Sequence, residues 1–416
     1  MTLERLGHVA GIVRSGAWLD SRRVRAYGLI LFAVEVAAMV FLAAGQHGLI
    51  VPLDHPVSGG FSSFYAAGSL AHQGTPALAY DLAAHRRAEE MIYGAPGANY
   101  YFFFYPPVLL LACAALAALP YPVAFAVWAV GQAALYLGGI RAIVGRGGAL
   151  VPYAAFPAGV ISFALGQNAL LTGALFAGGT VLLDRGRPFL AGLALGCLCY
   201  KPHFGILIPV ALIAGGHWRA VAGAAAAVAA LAGATVAAFG WDIWPAYVHL
   251  FADAAPRTFE TGRVPYSAMV SPFGSVLLVG GAKPLAYAVQ AVATLAAAVT
   301  VAVIWRATPR TAPRSVALIA GTLVSVPVIL FYDLLPAAVC IAWLARDARD
   351  GGWLPWEKAF IIAIAILSLG GRGLAVAAAV PYGPVVGFGL LAMAWRRARH
   401  GQSRQWHPDL APVYKS

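Results

Sequence analysis

Charge is scarce in this chain: only 11% of its 416 residues are Asp, Glu, Lys or Arg, and 16 acids face 28 bases. A soluble fold of this length needs more polar surface than that to cover itself. The four cysteines, Cys113, Cys197, Cys199 and Cys340, all sit in apolar runs without ligand spacing. They read as small core residues and imply neither zinc nor a disulfide. A glycine-rich phosphate loop, a Ser-His-Asp order and a His/Cys metal cluster are all missing, which leaves nucleotide-dependent chemistry unsupported. No internal repeat, direct or inverted, is apparent. The net charge of +12 does not point to nucleic acid, because the bases are scattered at the ends of apolar runs instead of forming a patch.

What is present is apolar. Hydrophobic residues make up 61% of the chain, in runs that recur from residue 26 to residue 395, each bounded by Arg, Pro, Gly or Trp. The pattern is that of an all-α integral membrane protein, a polytopic helical bundle, and not a barrel of alternating strands. One membrane domain, 26–395, lies between an Arg-rich segment, 1–25, and a tail, 396–416. The run 26–45 is long enough to span and lacks a convincing small-residue cleavage site, so it reads as a first spanning helix and not a removed signal.

Arg22, Arg23 and Arg25 precede the first run, and Arg396, Arg397 and Arg399 follow the last. The positive-inside rule puts both termini in the cytoplasm and makes the number of crossings even. The run 106–119 reaches only about 21 Å as helix against roughly 30 Å of hydrocarbon. It is expected to be a re-entrant or juxtamembrane helix, as is 271–280. Twelve spans then remain, near 26–45, 122–140, 150–165, 168–183, 188–200, 203–216, 220–240, 283–305, 315–331, 334–345, 357–371 and 374–395. The outer face receives long segments, 46–121 and 241–282, and tight turns at Gly166, Lys201, Asp333 and Arg372. Within the first segment, 62–93 reads as two short interfacial helices parted by "GTPA".

Polar residues gather on that face. Lys201, in "CLCYKPHFGIL", is alone among apolar neighbours, with Pro202 and His203 beginning the next run. It reads either as a lysine snorkelling from a helix end or as a point charge for a lipid phosphate. "GQN", Gly166 to Asn168, places two amides in a turn; Asn168 reads as a helix cap, and amides also bind sugar hydroxyls. The aromatic run "YYFFFYPP", residues 100–107, reads as an interfacial belt or as a groove for a prenyl chain or sugar. Most outer acids, Glu89 and Glu90 among them, read as solvated. Asp333 in "LFYDLL" has no polar sequence neighbour but Tyr332, which invites a functional role. Glu35, within the first span, is expected to hydrogen-bond inside the bundle.

The ordered set "FSSFYAAGSLAHQGTPALAYD" (61–81), "FYPP" (104–107), "GQNALLTGALF" (166–176), the stretch 187–220 around "YKPHFG", and "YDLL" (332–335) resembles glycosyltransferase family 87 of the GT-C superfamily. The resemblance implies a GT-C-like bundle with juxtamembrane helices in its outer loops. It also implies transfer of a sugar, mannose or similar, from a polyprenyl phosphate to a glycan or glycolipid acceptor at the outer face. No redox cofactor is needed, and a metal lacks a convincing ligand cluster. Lys201 would meet the donor phosphate, with His203, Gln167, Asn168, Tyr65, Tyr105, Arg257 and Arg263 as further donor-binding residues. The family's acid stands directly before the Phe of "FSSFYAAG"; here that position is Gly60. The candidate bases are then Asp54 or His55 upstream, and Asp333 from the other side. A lipid-sugar transporter and an inactive relative remain as rivals.

Overall fold

The computed structural model describes residues 10–44, 59–94 and 100–406. Among the described residues there are helices and no strands; Met269 and Leu330 form an isolated antiparallel bridge. Asp54 and His55 lie outside the described residues.

Among the described residues five helices are long and apolar enough to cross a bilayer on their own: Ser21–Phe41, Tyr121–Val144, Trp218–Phe239, Lys283–Ala307 and Glu357–Ala378. At most 33% of their most apolar window is buried, and side chains such as Phe41, Val130, Val292, Leu295 and Val376 stand out from the protein. So much outward apolar surface needs lipid against it.

The remaining apolar runs are broken into shorter helices. The run 150–165 divides into Val151–Ala154 and Pro157–Ala164, because Pro157 cannot continue the preceding helix. The runs 188–200 and 203–216 become Pro188–Gly196, two 3-10 turns and Ile208–Ala214. The turn expected at Arg372 is not there. Arg372 lies inside the helix Glu357–Ala378, and the chain turns at residues 379–382 instead, because Gly370, Gly371 and Gly373 are followed by a good helical run and the proline comes only at 381.

Small residues allow close helix packing. A Cβ on Gly192 would strike the Ala220 carbonyl and one on Gly223 the Phe189 carbonyl, so the helices Pro188–Gly196 and Trp218–Phe239 meet backbone to backbone. The centre of the molecule is Thr311–Ser325, buried on nearly every side and packed by Lys283–Ala307, Pro336–Gly351 and Gly383–Trp406. At its N-terminal end Arg310 bonds Asp347, which with Glu357 also holds Arg397. From its other end the chain leads to the turn Phe331–Leu334. The molecule therefore has an arginine-rich end and an opposite end that carries Asp333.

At that opposite end, Gly59–His72, the 3-10 turn Pro76–Tyr80 and Leu82–Tyr93 form a compact cap over Pro107–Ala117. The pair of helices parted by "GTPA" is thus present, although much of its surface is buried in the protein. A Cβ on Gly68 would overlap the Cys113 carbonyl, which accounts for glycine at that crossing.

Candidate active site

Three separated segments meet where the helices give way to turns. The first is "GQN". Gly166 ends Pro157–Ala164 in the left-handed conformation, φ +61°, and any side chain there would meet the Phe61 side chain. The helix Tyr121–Val144 fixes this turn: Trp128 Nε1 donates to the Gly166 carbonyl at 2.9 Å and Gln132 Nε2 to the Gln167 carbonyl at 2.9 Å. Asn168 occupies the cap position of Ala169–Asp184, yet its side chain makes no capping bond and is turned to the second segment.

That segment is Lys201. Pro202 disfavours helical backbone at the residue before it, and Lys201 takes φ −138°, ψ 69° between the two 3-10 turns. Its Nζ donates to Asn168 Oδ1 at 3.1 Å and, at 2.6 Å, to Oδ1 of Asp333, the third segment. The Lys201 and Asp333 side chains are each 5% exposed. Sequence adjacency left Asp333 isolated; in space its partner is Lys201. The lysine is correspondingly not a free point charge. Two of its three ammonium hydrogens are engaged, its charge is balanced, and the Phe204 ring lies 4.8 Å away.

Around this pair, the Tyr200 hydroxyl shares a 2.6 Å bond with Thr172 and donates to the Asn168 carbonyl at 3.2 Å. The Tyr105 hydroxyl lies within interaction range of the Asn168 side chain and the Asp333 carboxylate. His203 sets its ring 5.2 Å from Phe204. Asn168 Nδ2 and Gln167 Oε1 are buried without a partner among the described residues. Tyr65, Arg257 and Arg263 make their contacts elsewhere. Tyr65 donates to the Leu119 carbonyl at 2.8 Å and packs on Tyr121. Arg257 pairs with Asp253 on an exposed face, and Arg263 is exposed in the turn after Ile243–Phe259.

The Gly60 position is occupied in a different sense. A Cβ there would overlap the Gln167 side-chain amide and crowd the Leu165 carbonyl, which accepts from the Gly60 N–H at 3.1 Å. An acid cannot enter without displacing the Gln167 side chain and easing the Leu165 carbonyl aside.

One acid read as solvated is instead buried. Glu89, on Leu82–Tyr93 and outside the spanning helices, is 1% exposed. Its Oε1 lies 2.5 Å from Ser62 Oγ, and its Oε2 accepts from the Tyr101 N–H at 3.0 Å. Burial pushes its carboxyl up to about 7, against the Ser62 and Tyr101 hydrogen bonds, which pull it down. Ser62 Oγ also lies 2.7 Å from the Gly59 carbonyl. The single Ser62 hydroxyl hydrogen thus has two acceptors in reach, the Gly59 carbonyl and the Glu89 carboxyl. Nearby, His85 bridges the Tyr100 hydroxyl and the Ser63 carbonyl at 3.0 Å each, and burial holds it down to about 4. The only sequence signal for Glu89 was its place directly beside Glu90, on an amphipathic helix whose buried face periodicity alone does not select. Within the first span, Glu35 Oε2 has no hydrogen-bond partner among the described residues, contrary to the bond expected there. Among the described residues no group of three His, Cys, Asp or Glu is placed to hold a metal.

An apolar helical bundle with an outward hydrophobic surface, and a buried polar cluster at one end, defines an integral membrane protein with a polar site at one end of its bundle. The sequence profile of glycosyltransferase family 87 matches residues 103–332, more than half of the chain. The chain belongs to glycosyltransferase family 87. No curated protein and no solved structure matches it.

Proposed function

We propose that this protein transfers one sugar, a hexose such as mannose or else a pentose, from a polyprenyl monophosphate to a glycan or glycolipid acceptor at the outer face of the plasma or inner membrane. Family membership supplies the transferase class. The observation that carries the site is the meeting of Asn168, Lys201 and Asp333, from three separate segments, in one buried ion pair. The arginine-rich end would face the cytoplasm with both termini, which supports an outward Lys201–Asp333 end. Twelve crossings follow if broken pairs such as Val151–Ala154 with Pro157–Ala164 each cross together.

In this reading the acceptor oxygen bonds to the anomeric carbon as the bond from that carbon to the phosphate oxygen breaks. The bonding pair leaves with the phosphate, and the acceptor proton passes to a base. Lys201, aimed by Asp333 and Asn168, offers its remaining hydrogen to the phosphate. Gln167, Tyr105 and His203 line the donor beside it, with Tyr65, Arg257 and Arg263 further out. Asp54 or His55 is the base, and Asp333 is the second choice because its Oδ1 is already held by Lys201.

Purified protein supplied with radiolabelled polyprenyl-phosphate sugars tests this. Cleavage of one donor, abolished by Lys201→Ala, is the expected result. Movement of intact donor across the bilayer would make the protein a transporter, and the absence of cleavage of any donor would make it an inactive relative.

A further inference from the structure

Arg372 is an exposed cation in an apolar helix face. It lies about 9 Å of helix before Ala378, at the end of Glu357–Ala378 nearer Asp333. Its neighbours Leu369, Leu374 and Val376 are 55%, 48% and 69% exposed, so the surface around it is the surface that meets lipid. A charge within the apolar part of a spanning helix is costly and usually faces a cavity or a partner. Among the described residues no carboxylate pairs with it. Its guanidinium lies 4.6 Å over the Phe331 ring, which opens the turn carrying Asp333, and its charge reaches the hydroxyls of Tyr101 and Tyr382.

The backbone beside it is bare. Gly371 admits the Tyr382 ring, but a methyl on Gly370 or Gly373 would meet nothing within 4 Å. Glycine weakens a helix relative to alanine, and protein packing does not account for these two.

We propose that Arg372, seated on Phe331, binds the phosphate of a polyprenyl-phosphate lipid whose chain lies along the outer surface of Glu357–Ala378. This rests on the polyprenyl donor of the preceding reading and adds the charge that Lys201, neutralised by Asp333, does not supply. The guanidinium fork matches phosphate oxygens in pairs. The phosphate gains negative charge as the sugar leaves, so the contact strengthens along the reaction. A prenyl phosphate is favoured over a bulk phospholipid because the cation is fixed beside the turn that holds the candidate site, below the helix end where a plain interfacial anchor would sit.

The test uses the full chain in phosphatidylcholine nanodiscs, with binding of a polyprenyl monophosphate, the matching polyprenol and phosphatidylglycerol read by native mass spectrometry. Polyprenyl monophosphate should bind more tightly than both controls. Arg372→Gln should weaken it about tenfold or more and leave polyprenol unchanged, and Arg372→Lys should fall between. Unchanged binding in Arg372→Gln overturns the site; so does an equal loss for phosphatidylglycerol, which would make Arg372 a general lipid anchor. Should Arg372→Gln fail to fold, wild-type-level binding by Arg372→Lys likewise counts against the fork. Because no turnover is needed, Arg372-dependent binding without transfer from any donor would keep the site and remove the transferase. Transfer with Arg372-insensitive binding would do the reverse.

Discussion

Lys201 and Asp333 show how a buried ion pair constrains experiment. Removing one member leaves an unpaired buried charge, which typically costs about 3 to 5 kcal/mol, whereas replacing both with apolar residues is often neutral. Lys201→Met should therefore lower the unfolding temperature in detergent, and Lys201→Met with Asp333→Leu should restore most of it, while both lack transfer. Loss of activity at restored stability separates a chemical role from a structural one. Glu89 gives a second test at this scale. Its folded carboxyl sits near 7 against an ordinary 4.5, so the folded state holds a proton that the unfolded state has lost. Stability should fall as pH rises from about 4.5 to 7, and Glu89→Gln should abolish that fall. His85, held down to about 4, acts with the opposite sign between about 4 and 6.5. The difference between wild type and Glu89→Gln, measured as unfolding temperature against pH, cancels the histidine.

Among the elements, the helix Gly59–His72 and the "GQN" turn fit each other through the missing side chain at residue 60. Gly60→Asp, which puts an acid where the resemblance leads one to expect it, should destabilise by about 1 to 3 kcal/mol by overpacking, and Gln167→Ala in the same chain should relieve it. A thermal shift that does not respond to Gln167 would show that the turn yields in another way. The glycine-rich crossing of Pro188–Gly196 with Trp218–Phe239 behaves similarly: Gly223→Val puts a branched side chain onto the Phe189 carbonyl and should lower the unfolding temperature more than Gly233→Val, whose position is open.

For the whole molecule, the arginine-rich end and the Lys201–Asp333 end predict labelling from opposite sides. In a background without native cysteines, Gly262→Cys should react with an impermeant maleimide in intact cells, and Gly351→Cys only after permeabilisation. The reverse pattern would turn the proposed outer-face site inward.

Composition and hydropathy by themselves made this chain a helical membrane protein, because the cost of placing a segment in lipid is nearly a sum over its own residues. Local pattern also marked the two capping helices around "GTPA", the short helix at 107, and Asn168, Lys201 and Asp333 as unusual. Helix ends were less legible: a glycine-flanked Arg372 looks like a turn in sequence, and only packing against Tyr382 and Phe331 shows that the helix runs through it. That Lys201 and Asp333, 132 positions apart, neutralise each other was left to the tertiary structure, as was the burial of Glu89 against Ser62. Pairing depends on which surfaces meet, and a one-dimensional pattern carries the cost of a buried charge but not the address of its partner.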